Sequence, residues 1–415
     1  LGRLLLTLLF IGLSATAFAT NGLSPIGYGV KSKGMGGASA ALPQDSFVVA
    51  VNPAGLVDLD CRVDVELSYT FQDLFYDGNE TDATSKRGLW WPGIGAVLRL
   101  NGCQSFGLAL YMLGANDTHW SVALPNLGAP PFEQDFVDRT LLQNYFVAIT
   151  PAYSWRIFST QSLGISANIV VATANGQGLS RLKFGAVNRA FVTRNGVDVA
   201  TGVSLRLGWL GHFFCNRLSV GASLSTRTYM SRFSKYMSLF GDYGAVQWPW
   251  SATIGAAWTL SPCWTIALDY RYIDWKSVGA YRFSNFVNQA NQGDMARGMW
   301  NGQGFGLSQQ SVAKVGVSWT PWSCLDLRLG YNYVGELFPG SEYLTAAALI
   351  PQVIKNHITT GFTYRFCFGE ISGYYLHGFR RTGRSFSFIF PNNTEDFVNV
   401  SNQQNEVGLG WGCSF

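Results

Sequence analysis

Charge is scarce in this chain: of 415 residues only 13% are Asp, Glu, Lys or Arg, and the net +4 is scattered rather than gathered into a stripe. Nucleic-acid binding therefore has no electrostatic footprint. Beyond the first segment there is no unbroken apolar run long enough to cross a bilayer as a helix. The sequence also contains no Gly-x-Ser-x-Gly, no His-Glu-x-x-His, no phosphate loop and no Cys-x-x-Cys. The four histidines, His119, His212, His357 and His377, fall on separate segments. Nothing implies an enzyme, a metal or a cofactor. No charged linker or composition break divides the chain after its first few dozen residues, so one large unit is the simpler organisation. What is abundant instead is glycine, 47 residues, and aromatic side chains, 15% of the total. That balance suits strands whose outer face meets lipid.

Residues 1–19 begin Leu1-Gly2-Arg3, continue with the apolar run Leu4 to Leu13, and end Ala17-Phe18-Ala19. A positive start, a short apolar stretch and an Ala-x-Ala end are the parts of a secretory signal peptide, with cleavage expected after Ala19. A secreted chain without a spanning helix can sit in a membrane only as a closed barrel, because lipid satisfies no stray backbone group.

From Cys61 to Phe415 one pattern recurs, roughly ten residues alternating between apolar and polar, then a turn. Val63, Val65, Leu67, Tyr69 and Phe71 alternate with Arg62, Asp64, Glu66, Ser68 and Thr70. Side chains on a strand alternate faces, so one face is greasy and the other wet. We expect an all-β fold, a transmembrane antiparallel barrel of about fourteen strands over 61–415, among them 61–71, 88–100, 104–116, 217–231, 246–260 and 405–415. Connections alternate in length: 101–103, 158–160, 213–216, 261–262, 321–322 and 368–369 are short, whereas 72–87, 117–141, 176–198, 276–310, 334–355 and 380–404 are long. Short periplasmic turns and long outer loops are the rule in such barrels. Trp90, Trp91, Trp248, Trp250, Trp264, Trp275, Trp319, Trp322 and Trp411 fall near strand ends, where the aromatic girdles belong.

Residues 20–60 are too rich in glycine and too irregular for a long helix or strand. Asn21-Gly22, Gly27-Tyr28-Gly29, Gly34-Met35-Gly36-Gly37-Ala38, Asp45 and Asn52-Pro53-Ala54 follow one another there, ahead of the candidate strands. In this order and place they resemble the N-terminal hatch of the FadL family, bacterial outer-membrane channels for long-chain fatty acids and, in relatives, aromatic hydrocarbons. The resemblance continues more faintly through Tyr270 and Trp275 and the closing strand. It implies a plug inside the lumen, a hydrophobic pocket between plug and wall, and an inward kink in the third strand that opens a side window to the membrane. It further implies that Asn52, Pro53 and Ala54 form the hatch motif beside the kink. Asn21, Gly22, Leu23 and Ile26 would form a mobile gate, with Leu23 and Ile26 touching ligand. We assign the kink to Gly114, since glycine loosens strands. Phe132 and Phe136 in the first long loop are candidates for an entry groove. The implied partners are a hydrophobic ligand (a fatty acid, a detergent-like molecule or an aromatic) and outer-membrane lipid.

The wet face carries Arg62, Asp64, Glu66, Asp269, Arg271, Lys314, Asp326, Arg328, His357 and Arg365. Charges of both signs inside a barrel pair with one another and with the plug; the alternative is the constriction of a general polar porin. Cys61, Cys103, Cys215, Cys263, Cys324, Cys367 and Cys413 all map to the short-turn rim and none to a long loop. The periplasm permits disulfides, and an odd count leaves at least one thiol for a partner outside the chain. A third reading is thus a structural or adhesive envelope protein, linked by disulfides to periplasmic proteins or to other barrels.

Overall fold

The computed structural model describes residues 21–78, 81–124, 139–179, 182, 186, 188–282, 304–338, 347–386 and 397–415. The expected signal peptide, with Phe132 and Phe136, lies outside the described residues.

The strands are β1 (Arg62–Gly78), β2 (Thr81–Asn101), β3 (Gln104–His119), β4 (Leu141–Phe158), β5 (Gln161–Gln177), β6 (Asp198–Phe213), β7 (Leu218–Ser225), β8 (Tyr229–Met230), β9 (Ser251–Ser261), β10 (Trp264–Ile273), β11 (Gln310–Trp322), β12 (Leu325–Val334), β13 (Asn356–Phe366), β14 (Gly369–Phe386) and β15 (Phe397–Ser414). Each long strand pairs antiparallel with its sequence neighbours, β15 pairs with β1, and β5 pairs with β6, so the ring is closed. Fourteen strands build the wall; β8 resumes β7 beyond an interruption and pairs only with β6. Closure into a ring removes the two free edge strands an open sheet would have, which is what a lipid environment demands.

Alternation along the sequence becomes two faces. Val65, Leu67, Ile94, Leu98, Leu108, Ile169, Leu205, Leu207, Ile254, Leu268, Leu329 and Leu409 are all exposed on the outside. Between them Asp64, Glu66, Ser68, Arg206, Asp269 and Arg328 are buried on the inside. An outward apolar band around a closed sheet is a lipid-facing surface.

Three expectations need correction. The connections 72–87 and 380–404 are largely strand, since β1 and β2 run to Gly78 and from Thr81, and β14 and β15 to Phe386 and from Phe397. Strand above the lipid band has no greasy face, so it carries no alternation to read. The seventh strand is broken at 226–228, and the strand expected over 246–260 begins only at Ser251, with Thr228 still bridged to Trp248. Of the expected girdle, Trp90, Trp264, Trp319, Trp322 and Trp411 are exposed, but Trp91, Trp248 and Trp275 are buried inside. Trp90 and Trp91 are adjacent on a strand, so one had to face inward.

The segment from Asn21 to Leu59 is buried almost throughout. It forms helix α1 (Val30–Gly34) and two single 3-10 turns, Ser46–Ala50 and Pro53–Asp58. Helix α1 packs on β12 to β15, the first turn on β1 to β4, and the second on β3 to β6. Touching strands around the ring, this segment occupies the lumen.

Its polar bonds run to the wet face. Lys33 Nζ lies 3.0 Å from Glu406 Oε1, and Lys31 pairs with Glu370, which also accepts from Arg62 at 2.7 Å. Asp269 accepts from the backbone N–H groups of Ser39 and Ala40 at 2.8 and 2.9 Å. Arg328 donates to Gln44 at 3.2 Å and, with Arg365, pairs with Asp326. These inward charges are thus neutralised by each other or by the inner segment, as buried charge must be.

Cys61 precedes β1, Cys413 lies near the end of β15, and Cys103, Cys215, Cys263, Cys324 and Cys367 sit at turns on that same rim. All seven are free, so no bridge joins any pair within the chain.

Candidate functional site

The third strand departs from the pattern of its neighbours halfway along. From Ser105 to Tyr111 it alternates: Ser105, Gly107, Ala109 and Tyr111 point in, while Phe106, Leu108 and Leu110 point out. From Met112 to Asn116 every residue is buried. Two ladder changes accompany this loss of alternation. Pairing with β2 stops at Gly93 opposite Tyr111. On the other side Met112 faces Val147 and Gly114 faces Phe146, so Leu113 is an extra residue without a partner. One extra residue bends a strand and frees its backbone groups.

The inner segment takes up those groups. Tyr28 Oη donates to the carbonyl of Leu113 at 3.0 Å, and the N–H of Ala115 donates to the carbonyl of Leu23 at 3.1 Å. Gly114 lies between them, where a Cβ would fall 2.2 Å from Trp248 Cη2 and 2.4 Å from the Leu23 oxygen. No larger residue fits there without displacing the segment. Further up, just past the end of β3, Ser121 N–H donates to the carbonyl of Thr84 at 3.1 Å, so the chain following β3 rejoins β2. Between these points the wall has a seam, filled by Trp91, Met112 and Ala115 with Leu89, Tyr145 and Val147 against them.

The residues expected to form a gate are all buried. Asn21 and Ser24 close a tight turn through reciprocal backbone bonds of 2.8 and 3.2 Å. Gly22 sits in this turn at φ 65°, the left-handed region that favours glycine, facing Trp275 and Gln310. Leu23 and Ile26 part company. Leu23 joins the large apolar cluster with Phe146, Trp248 and Trp275, whereas Ile26 packs with Val30, Tyr374 and Leu376. In the first cluster Trp248 lies 5.1 Å from Phe146 and 5.2 Å from Trp275 between ring centroids.

Asn52, Pro53 and Ala54 are not beside the bulge of β3, contrary to expectation. They press on β5 and β6, where Gly164 and Gly208 leave no room for a Cβ beneath Pro53 and Asn52. Asn52 Nδ2 donates to the carbonyls of Ala40 at 2.8 Å and Trp209 at 3.0 Å, and its Oδ1 accepts from Ala54 N–H at 3.2 Å, capping the second 3-10 turn. Its role is to fasten the segment to the wall and to itself. Asp45 caps the first turn through Phe47 N–H at 3.1 Å, and burial, with the charge of Asp64, pushes its carboxyl up to about 7.

Tyr28, Trp248, Trp275 and Arg271 were not singled out for this site from the sequence. Tyr28 is one residue of a glycine-rich run, and the tryptophans read as girdle. Neither carries a local signal, because each meets its partners only after closure of the ring.

Fold and site define a class: a transmembrane β-barrel of fourteen strands whose N-terminal segment fills the lumen and reaches a seam between the second and third strands. Solved structures of that build include the P. putida toluene transporter TodX, at TM-score 0.66 and 17% identity over 94% of this chain and 99% of that one. A Pseudomonas aeruginosa FadL homologue matches at TM-score 0.68 and 14% identity, covering 97% of this chain and all of the other (100%). The Ralstonia pickettii toluene transporter TbuX matches at TM-score 0.65 and 15% identity over 94% and 99%. The chain has the FadL-type barrel fold. No family model and no curated protein matches it by sequence.

Proposed function

We propose that this chain is a bacterial outer-membrane channel for passive uptake of hydrophobic small molecules, long-chain fatty acids or compounds of similar character. The bulge at Leu113, held by Leu23 and Tyr28, is the observation that carries the reading. A ligand entering from outside meets the aromatic cluster of Phe146, Trp248 and Trp275. To settle there it must push aside Asn21, Gly22 and Leu23, which frees the backbone of Ala115 and loosens the bend of β3. The seam lined by Trp91 and Met112 then offers an apolar way into the bilayer. Keeping the solute out of water retains about 0.8 kcal/mol per CH₂, which an aqueous pore would forfeit. A filled lumen with paired charges also weighs against a general polar porin. In planar bilayers the purified protein is expected to carry little steady current, while outer-membrane vesicles bearing it take up a labelled fatty acid faster than vesicles without it. A large steady current with no gain in fatty-acid uptake would reverse that assignment in favour of the porin.

A second role can coexist with transport. The seven free rim thiols suit disulfide links to cysteine-bearing periplasmic proteins or to other barrels. In such a link a rim thiolate attacks a partner's disulfide, forms the mixed disulfide and releases the partner's second sulfur as thiolate. Non-reducing electrophoresis of native envelopes is expected to show higher species that collapse on reduction; a monomer unchanged by reductant sinks this role.

A further inference from the structure

The apolar cluster in the lumen has a roof, and the roof is a separate piece of chain. Residues 347–354, in the connection between β12 and β13, read Ala-Ala-Leu-Ile-Pro-Gln-Val-Ile and are all buried. Leu349, Ile350 and Val353 belong to one cluster with Leu23, Trp248 and Trp275. Around the ring β3 is separated from β13 by β2, β1, β15 and β14, yet it is β3 that grips this strap. Asn116 Nδ2 and Thr118 Oγ1 both donate to the Leu349 carbonyl at 2.9 Å, and Trp120 Nε1 donates to that of Ala348 at 2.7 Å. On the way back Asn402 of β15 donates to the Pro351 carbonyl and Arg381 of β14 to that of Val353, at 3.1 Å for the latter. The strap therefore crosses the mouth of the lumen from β3 to the foot of β13, where the Lys355 carbonyl accepts from Val334 N–H at 2.8 Å.

The strap is held differently from everything else around it. Among the described residues no wall strand pairs with its backbone; its carbonyls are met by side chains of the wall. Such bonds can be released one by one and remade without opening a ladder, and each is worth little once the freed groups meet water. The contacts of the strap on its inner side are apolar, so an apolar solute passing beneath replaces them at small cost. The three clasp residues on β3 also stand just outward of the bulge. Ala115 N–H is bonded to Leu23 of the inner segment, and the next residue, Asn116, holds the strap and the Leu142 carbonyl of β4 at 3.0 Å.

Resting on the proposed channel function, we infer that residues 347–354 are an outer gate, clasped shut by Asn116, Thr118 and Trp120, and that solute enters the apolar cluster only while this clasp is released. The channel then has two barriers in series, the strap toward the outside and Asn21 to Leu23 toward the seam. One strand carries the fastenings of both. A solute that lifts the strap unloads the outer half of β3, the half that must shift when the bend at Leu113 relaxes. Entry and lateral exit are coupled through that strand, and the gate closes again over a bound ligand.

The test is stopped-flow mixing of dodecanoate with the full chain in a non-ionic detergent, read by tryptophan fluorescence, for the wild type and for Thr118→Val combined with Trp120→Phe. These substitutions keep the shape of the clasp and remove its donors to Ala348 and to Leu349 from those two positions, while Trp248 and Trp275 remain as reporters. The closed state loses the bonds whether or not ligand lies beneath it. Association and dissociation are therefore expected to quicken together, by at least about fivefold for the loss of two neutral hydrogen bonds, with their ratio unchanged. Association at the wild-type rate, or a faster dissociation alone, overturns the gate while leaving the channel reading in place. A wild type that binds no dodecanoate overturns the channel reading itself. Should the double variant fail to fold, as judged by heat-modifiable migration on gels, Asn402→Leu on the opposite side of the strap is read by the same two rates and decides in the same way.

Discussion

Deletion of Leu113 is expected to lower uptake of hydrophobic substrates by more than about tenfold while leaving a folded barrel, since an added barrier of about 1.4 kcal/mol suffices for that factor. Leu113 is the one residue of β3 without a partner across β4. Its removal places Gly114 directly after Met112, so their partners Phe146 and Val147 follow in unbroken register. No side chain changes face, because residues beyond the bulge already sit in phase with β4. What changes is the bend: β3 straightens, its backbone returns toward β2, and the seam between Gly93 and Thr84 closes. Uptake through outer-membrane vesicles measures this, with heat-modifiable migration as the check on folding. Unchanged uptake in a folded deletion variant would mean that the seam is not the exit.

The largest effect on stability is expected from Lys33→Met. Lys33 and Glu406 are both nearly solvent-free, with side-chain exposures of 3% and 4%. Tyr374 and Thr70 also donate to Glu406, and the ammonium lies 5.3 Å from the Tyr374 ring centroid. Removing the cation leaves a carboxylate charge buried without its counter-ion, for which about 3–5 kcal/mol is the usual cost. Denaturant unfolding in detergent should show that loss, and Lys33→Met combined with Glu406→Gln should recover most of it. A single variant as stable as wild type would mean that the inner segment is not held by this pair.

Much of this was legible in the sequence, for a physical reason. A strand between lipid and a wet lumen must alternate, so Val63 to Phe71 announced its own orientation. The turns and the rim cysteines followed from counting. Where the chain leaves the lipid band, as in β1 beyond Phe71 and in β14 beyond Phe379, pairing continues but the greasy face ends, and loops were expected in place of strand. Trp248 and Trp275 were misplaced for a related reason: near a strand end the period gives no facing, and only the contact with Leu23 and Gly22 decides it.

The candidate site was partly visible. Gly114 was picked because glycine loosens strands, and it does adjoin the register shift, but the extra residue is Leu113, and no property of leucine marks it. Asn52-Pro53-Ala54 stood out as a motif, yet its bonds run to Ala40 and Trp209 and not to the bulge of β3. A motif shows that a local backbone is special and leaves open which wall it meets.

The most direct measurement is a structure of the wild-type protein purified with a bound long-chain fatty acid. The account predicts the ligand among Leu23, Phe146, Trp248 and Trp275, with Asn21 to Leu23 displaced and β2 and β3 parted at the seam. A ligand seated elsewhere, with Leu23 still bonded to Ala115, would contradict it.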